Sequence, residues 1–407
     1  MLLNNASLLS VLLAVSHLAL TSSAAPVNSP SGDLSARWAG KIAPKVFIIS
    51  MFKYEEAAWK GIKEFDIYAH NITVPGISPL FPDVHCSVDY EVCQMTTGES
   101  EINAAGSVGA LSLSQIFDLR KTYFMIAGIG GVNPEQATLG SVTFARYAVQ
   151  VALQYEFDSR ELPSNFTTGY IPLGTDAPSD YPVNIYGTEV FEVSTTLRDI
   201  AVSFASTARL NDSTTAQAYR ALYSPISSYA AGASPPSVVA CDVATSDVYY
   251  SGDILAEAFG NTTHIWTNGS GVYCTTAQED NASLSALVRS TLYGKTDFSR
   301  IIVMRTASDF DRPPPSVSPL QNLLYADQGG FEPAINNIYL AGIKVVEGIL
   351  NGWQTTFEAG IKPANYIGDI FNTLGGKPDY GRPADFINPE TRKRRMFRRS
   401  VRVQRDS

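Results

Sequence analysis

The chain has 407 residues, 45% of them hydrophobic and 17% charged, with a formal net charge of −9 at pH 7. That is enough apolar material for one large core, and it excludes a disordered or fibrous chain. Arg392, Lys393, Arg394, Arg395, Arg398, Arg399, Arg402 and Arg405 crowd the last stretch against Glu390 and Asp406, so without it the formal charge falls from −9 to −15, and an acidic body of that kind argues against nucleic acid as a partner.

In chain order, an apolar run from Leu8 to Leu20 closes on Ser23-Ala24-Ala25, small residues that suit signal peptidase. The run is short for a membrane span and ends at a cleavage-like site. Although no Lys or Arg precedes it, residues 1–25 therefore read as a signal peptide rather than a lone anchor. Residues 26–44, rich in Ser, Pro and Gly, read as a linker. Beyond Leu20 no stretch approaches 18 consecutive apolar residues, so a channel or carrier built of membrane-spanning helices is not expected. The sequons at Asn71, Asn165, Asn211, Asn261, Asn268 and Asn281 agree with a secreted or cell-surface protein. So does the even set Cys86, Cys93, Cys241 and Cys274. These cysteines allow three pairings, among which Cys86 with Cys93 closes the shortest loop.

The fold proper is expected over 45–385. Val46-Phe47-Ile48-Ile49 followed by Glu55-Glu56-Ala57-Ala58-Trp59 predicts a strand, a loop and a helix with an acidic first turn. Tyr90 to Met95 predicts a second strand. Ala104, Val108 and Leu111 then share one helical face, and Tyr123 to Ile129 predicts a third strand running into Gly128-Ile129-Gly130-Gly131. Residues 156–184, dense in Pro, Tyr, Ser and Asp, read as a long surface insertion. Helical patterns follow from Val190 to Ala208 and from Thr214 to Leu222. Strands are expected at Val238 to Cys241, Val272 to Cys274 and Ile301 to Met304, before a closing amphipathic helix carrying Ile335, Ile338, Val345 and Ile349. The alternation implies an α/β fold with a mostly parallel, twisted sheet covered on both faces. Residues 386–407 read as a solvated, disordered basic tail rather than a wall-binding or membrane-surface patch or a processing site. With no apolar run after the tail, a GPI anchor is not expected.

The sequence lacks the motifs of several chemistries. Its four histidines, His17, His70, His85 and His264, show no metal-ligand spacing, and no Gly-x-Ser-x-Gly elbow occurs. Gly294-Lys295-Thr296 has Arg289 where a phosphate-binding loop needs glycine, and Gly128-Ile129-Gly130 is followed by Asn133 where the dinucleotide fingerprint needs glycine. No metal or cofactor is expected. What stands out are carboxylates just past predicted strands, Glu55, Glu279 and Asp309, because open α/β sheets bind ligands at the carboxyl ends of their strands.

Lys45 to Glu55, Thr97-Gly98 with Ile102 to Ala105, Tyr123 to Gly131, Ala244 to Tyr249, Gln278-Glu279 and Arg305-Thr306-Ala307-Ser308-Asp309 follow one another in the order of the nucleoside phosphorylase and nucleosidase superfamily. From Lys45 to about Tyr380 the chain is similar to the purine nucleoside permease family, which shares that pattern. The resemblance implies a nucleoside phosphorylase-like α/β fold, with a twisted mixed central sheet flanked by helices on both faces, and purine nucleosides as ligands. It makes Asp309 the candidate acid for the departing base and Glu55 the carboxylate that activates water. Glu279 becomes the acceptor of ribose hydroxyls, Tyr249 the ring stacked on the base and Tyr250 a neighbouring wall. Gln278, Gly130, Gly131 and Ser308 complete the substrate site. Lys53 is the only free cation between Val46 and Trp59, and Phe124 to Gly131 holds no Arg. Hydrolysis is therefore expected over phosphorolysis, with phosphate a co-substrate only in the second case. The alternatives are a non-catalytic protein that captures nucleosides for transmembrane transport, or a retained fold that binds none. A homo-oligomer is compatible with each. Asn281, two residues from Glu279, is expected to carry no glycan.

Overall fold

The computed structural model describes residues 40–380. The expected signal peptide, all of the linker before Gly40 and the basic tail lie outside the described residues.

The first half builds β1 (Val46–Ser50), α1 (Lys53–Ala57), β2 (His70–Thr73), β3 (Asp83–Cys86), β4 (Val92–Thr96), α2 (Glu101–Leu113), β5 (Tyr123–Val132), β6 (Val142–Phe144) and β7 (Tyr147–Gln150). In the insertion, β8 (Gln154–Glu156) and β9 (Tyr170–Pro172) form an antiparallel ribbon of their own. Then come β10 (Val190–Glu192), α3 (Thr195–Ala205), α4 (Thr214–Arg220), β11 (Val238–Ala240), β12 (Asp242–Thr245), α5 (Asp253–Trp266), β13 (Tyr273–Ala277) and α6 (Asp280–Leu292). Last are β14 (Ile301–Phe310), α7 (Pro319–Leu324), α8 (Phe331–Asn351) and β15 (Gly368–Asp369). The helical pattern expected from Val190 yields its first three residues to β10, because Ser194 starts the helix: its hydroxyl accepts the Leu197 N–H at 3.2 Å.

Thirteen strands form one sheet in the order β15-β10-β7-β12-β13-β5-β1-β4-β3-β2, with β14 on β5, β6 on β14 and β11 on β6. The centre, β4-β1-β5-β14, is parallel, as the apolar runs imply. The periphery is not: β2, β3, β10 and β15 pair antiparallel, so the sheet is mixed.

Period-two alternation splits β1 between two cores. Phe47 and Ile49 join Phe124, Ile126, Val108, Leu111, Leu284 and Leu287, on the face covered by α2 and α6. Val46 and Ile48 join Met125, Ile302, Met304, Leu197, Ile338, Val346 and Ile349, on the face covered by α3 and α8. Burying both faces leaves the carboxyl ends of β1, β5, β13 and β14 as the place where polar side chains gather.

Both disulfides form. Cys86 and Cys93 face each other directly across β3 and β4, and Cys241–Cys274 ties the segment entering β12 to β13.

Candidate active site

Glu55 follows β1 in the first turn of α1 and is 1% exposed. Both of its oxygens are held by backbone. Met51 N–H donates to Oε2 at 2.6 Å and Ile129 N–H to Oε1 at 2.8 Å. Gly128 makes the room, since a Cβ there would stand 2.2 Å from Met51 Cε, 2.6 Å from Glu55 Oε1 and 2.8 Å from Arg305 Nη1. Burial raises the Glu55 carboxyl from 4.5 to about 8, with the negative charge of Glu279 adding to the rise and Arg305 and the two backbone donors opposing it.

Glu279, just before α6, accepts the Ser100 N–H at 3.0 Å through Oε1 and Arg305 Nη2 at 3.1 Å through Oε2. Its burial lifts it above the usual glutamate range despite that arginine. Arg305 rises from the middle of β14 and is 2% exposed. It grips Asp280 with a bidentate pair, Nε to Oδ2 at 3.1 Å and Nη2 to Oδ1 at 2.8 Å, and donates from Nη1 to the Ile129 carbonyl at 2.9 Å.

The pairing of β14 with β5 slips at Ser308: Ala307 faces Gly130 and Asp309 faces Gly131, so Ser308 is the extra residue of a bulge, a device that re-aims side chains. The Ser308 hydroxyl lies 2.6 Å from Asp309 Oδ1 and 3.1 Å from the Gly130 carbonyl, and Tyr249 donates to the same Oδ1 at 3.2 Å. Asp309 Oδ2 takes no hydrogen bond from the described residues, which leaves it available to a ligand. Burial raises this carboxyl too, against the bonds from Ser308 and Tyr249.

Eight of the residues expected from sequence line one cavity: Glu55, Gly130, Gly131, Tyr249, Tyr250, Gln278, Glu279 and Ser308. Its space is about 680 Å³ when the part open to solvent is counted. The ninth residue, Asp309, opens into an adjoining cavity that shares Phe52, Glu99, Ile129, Tyr249 and Ser308 with the first. Tyr249 stands on the shared wall, 65% exposed. Tyr250 is held from behind: its hydroxyl lies 3.0 Å from that of Tyr273, which donates to Asp311 at 2.7 Å.

The sequence profile of the family described as purine nucleoside permease (NUP) matches residues 43–362. The chain belongs to the purine nucleoside permease family. A purine nucleoside permease of Candida albicans is 48% identical to it over 345 residues, 83% of this chain and 83% of that protein. A probable purine nucleoside permease of Schizosaccharomyces pombe is 42% identical over 319 residues, 76% of this chain and 90% of that protein. Among solved structures, an MTA/SAH nucleosidase of Streptococcus pneumoniae with 8-aminoadenine is similar at 15% identity and TM-score 0.45, covering 75% of this chain and 99% of that one. A futalosine hydrolase of Helicobacter pylori is similar at 11% identity and TM-score 0.44, covering 76% and 97%. These two likenesses are distant, and the chemistry of the cavity has to be read from the permease-family chain's own residues.

Two of those residues receive no role from the sequence, although Arg305 belongs to a motif quoted above. Asp280 gives no signal beyond its place beside Glu279, whereas Arg305, a charge inside the apolar run from Ile301 to Ala307, announces a buried ion pair. Lys53, the one cation expected near Glu55, is exposed, lies 4.7 Å from the Tyr54 ring and lines neither cavity. Asn281 is buried, its side chain bonded to Thr245 Oγ1 at 2.8 Å and to the Thr188 carbonyl at 2.7 Å. No helix among the described residues of this permease-family chain is long and apolar enough to cross a membrane.

Proposed function

We propose that the protein binds purine nucleosides across the two adjoining cavities, with the ribose beside Glu55 and Glu279 and the base reaching past Tyr249 to Asp309, and hydrolyses their N-glycosidic bond, releasing free base for salvage. The observation that carries this reading is the cleft itself. Glu55, Glu279 and Arg305 line it, and Asp309 stands across a shared wall with one carboxyl oxygen unengaged. The relatives named purine nucleoside permease support a nucleoside as the ligand.

Heterolysis of the glycosidic bond builds positive charge on the sugar and negative charge on the base. Asp309, whose hold on its proton burial strengthens, donates that proton to the ring nitrogen as the C1′–N bond breaks and its electron pair leaves with the base. Glu55 in its ionised form takes a proton from water as the water oxygen bonds to C1′. The products are ribose and free base, and solvent restores the two protonation states. Glu279 accepts hydrogen bonds from the ribose hydroxyls. A base near 8 is strong enough to deprotonate the attacking water and is still ionised in part at neutral pH.

A second reading, nucleoside capture without cleavage, is favoured by the permease name of the relatives. Since no helix among the described residues can span a membrane, that role would be indirect, through delivery to a separate carrier. Action outside the cytosol belongs to the proposal, supported by the two disulfides and by the exposed sequons at Asn71, Asn165, Asn211, Asn261 and Asn268. The test is incubation of the purified chain with inosine, adenosine, guanosine and uridine. Purine release that an Asp309→Asn, Glu55→Gln double variant loses supports cleavage. Saturable binding with every nucleoside recovered intact supports capture, and absence of binding refutes both.

A further inference from the structure

We propose that Asp280 selects the nucleophile: by occupying the fork of Arg305 it denies that guanidinium to phosphate and leaves water as the group that attacks the sugar. The inference rests on the nucleoside-cleaving reading and adds to it a specificity-determining residue.

Arg305 is the only cation among the described residues that line either cavity. A guanidinium has five N–H donors. Four are engaged, by Asp280 Oδ2, Asp280 Oδ1, Glu279 Oε2 and the Ile129 carbonyl, which leaves a single Nη1 N–H. Strong recognition of an oxyanion uses two parallel donors of the fork, and here the chain's own carboxylate has taken that edge. Asp280 is fully buried, so solvent does not compete for the pair. Glu55, in the ionised form that activating water requires, would also repel a phosphate dianion, adding to the lack of donors. Water needs neither the fork nor a counter-charge.

With Asp280 removed, Nε and one Nη2 N–H are freed and the fork becomes available to an oxyanion. Phosphorolysis then becomes open to the site: a phosphate oxygen bonds to C1′ as the C1′–N pair leaves with the base, the base takes the Asp309 proton, and ribose 1-phosphate replaces ribose.

The experiment measures inorganic phosphate binding directly, by calorimetry and by melting temperature against chloride at matched ionic strength, in the wild type, Asp280→Ala and Asp280→Asn. The wild type should show no phosphate-dependent shift. Asp280→Ala should bind phosphate at least ten-fold more tightly than the wild type, with Asp280→Asn between them, and Arg305→Met in the Asp280→Ala background should erase the gain. If nucleosides are cleaved, Asp280→Ala should also form ribose 1-phosphate. A wild type that phosphate stabilises in competition with nucleoside overturns the inference whether or not the variants fold. A folded Asp280→Ala that gains no phosphate affinity overturns it as well. Failure of every variant to release base would instead sink the cleavage reading and leave the phosphate result standing.

Discussion

Replacing Glu55 by Gln removes a proton-binding group while keeping the shape of the side chain, so it isolates the consequence of burying that carboxyl. The folded value of about 8 stands above the unfolded 4.5. Over that window the native state holds a proton that the unfolded chain has released, so the stabilisation is complete below 4.5 and lost as pH rises through 8. One extra bound proton changes stability by roughly 1.4 kcal/mol per pH unit, or about 4 kcal/mol between about pH 5 and 8. Other buried carboxyls, Glu279 and Asp309 among them, bend the stability curve in the same direction, so the informative quantity is the difference in slope between the two proteins. The amide sets a pH-independent offset. It can accept only one of the N–H groups of Met51 and Ile129, and leaving the other unpaired costs about 1–3 kcal/mol. Urea unfolding at pH 5, 6, 7 and 8 under non-reducing conditions should show the wild type losing about 4 kcal/mol more than Glu55→Gln over that range. Parallel curves, separated by less than about 1 kcal/mol of slope difference, would falsify the claim that Glu55 holds its proton into the neutral range.

Gly128→Ala puts a methyl into the space shared by Met51, Glu55 and Arg305, and should lower turnover about 100-fold and stability by about 1–3 kcal/mol, read from kcat/KM and urea unfolding. Unchanged kinetics would mean that the carboxylate's position is not critical. The disulfides should contribute unequally, because Cys241–Cys274 spans 33 residues and Cys86–Cys93 only 7. Loop entropy assigns about 4 kcal/mol to the first and about 2 kcal/mol to the second, so the Cys241→Ser, Cys274→Ser pair should lower the unfolding midpoint more than the Cys86→Ser, Cys93→Ser pair. Glycopeptide mapping of protein from a secreting host should find Asn281 unmodified, since its amide bonds Thr245 and Thr188 inside the fold. A glycan at Asn281 would contradict that packing.

The central strands are legible in the sequence because a parallel strand buried on both faces must be apolar at every position, as Val46 to Ile49 and Ile301 to Met304 are. Glu55, Glu279 and Asp309 are legible for the same reason, being the first acids past such runs. The short strands β6, β7 and β12 are not, because three or four residues carry no period and their support is remote. Asp242, for instance, is held by the backbone N–H groups of Arg146, Tyr147 and Val272. The antiparallel periphery follows from pairings of that kind and leaves no local trace. Ile129 shows another limit. A large residue between Gly128 and Gly130 looks out of place, yet its backbone N–H and carbonyl make the contacts to Glu55 and Arg305. Asp309 lines the second cavity just past the Ser308 bulge, which no residue pattern announces.

The most direct test of nucleoside hydrolysis is the product balance from inosine, with free base, ribose and ribose 1-phosphate quantified together at pH 7 and 8, with and without phosphate. The account predicts base and ribose in equal amounts, a rate that phosphate leaves unchanged, and faster release at pH 8 as Glu55 ionises. Inosine recovered intact from a protein that binds it, or base matched by ribose 1-phosphate, would contradict it.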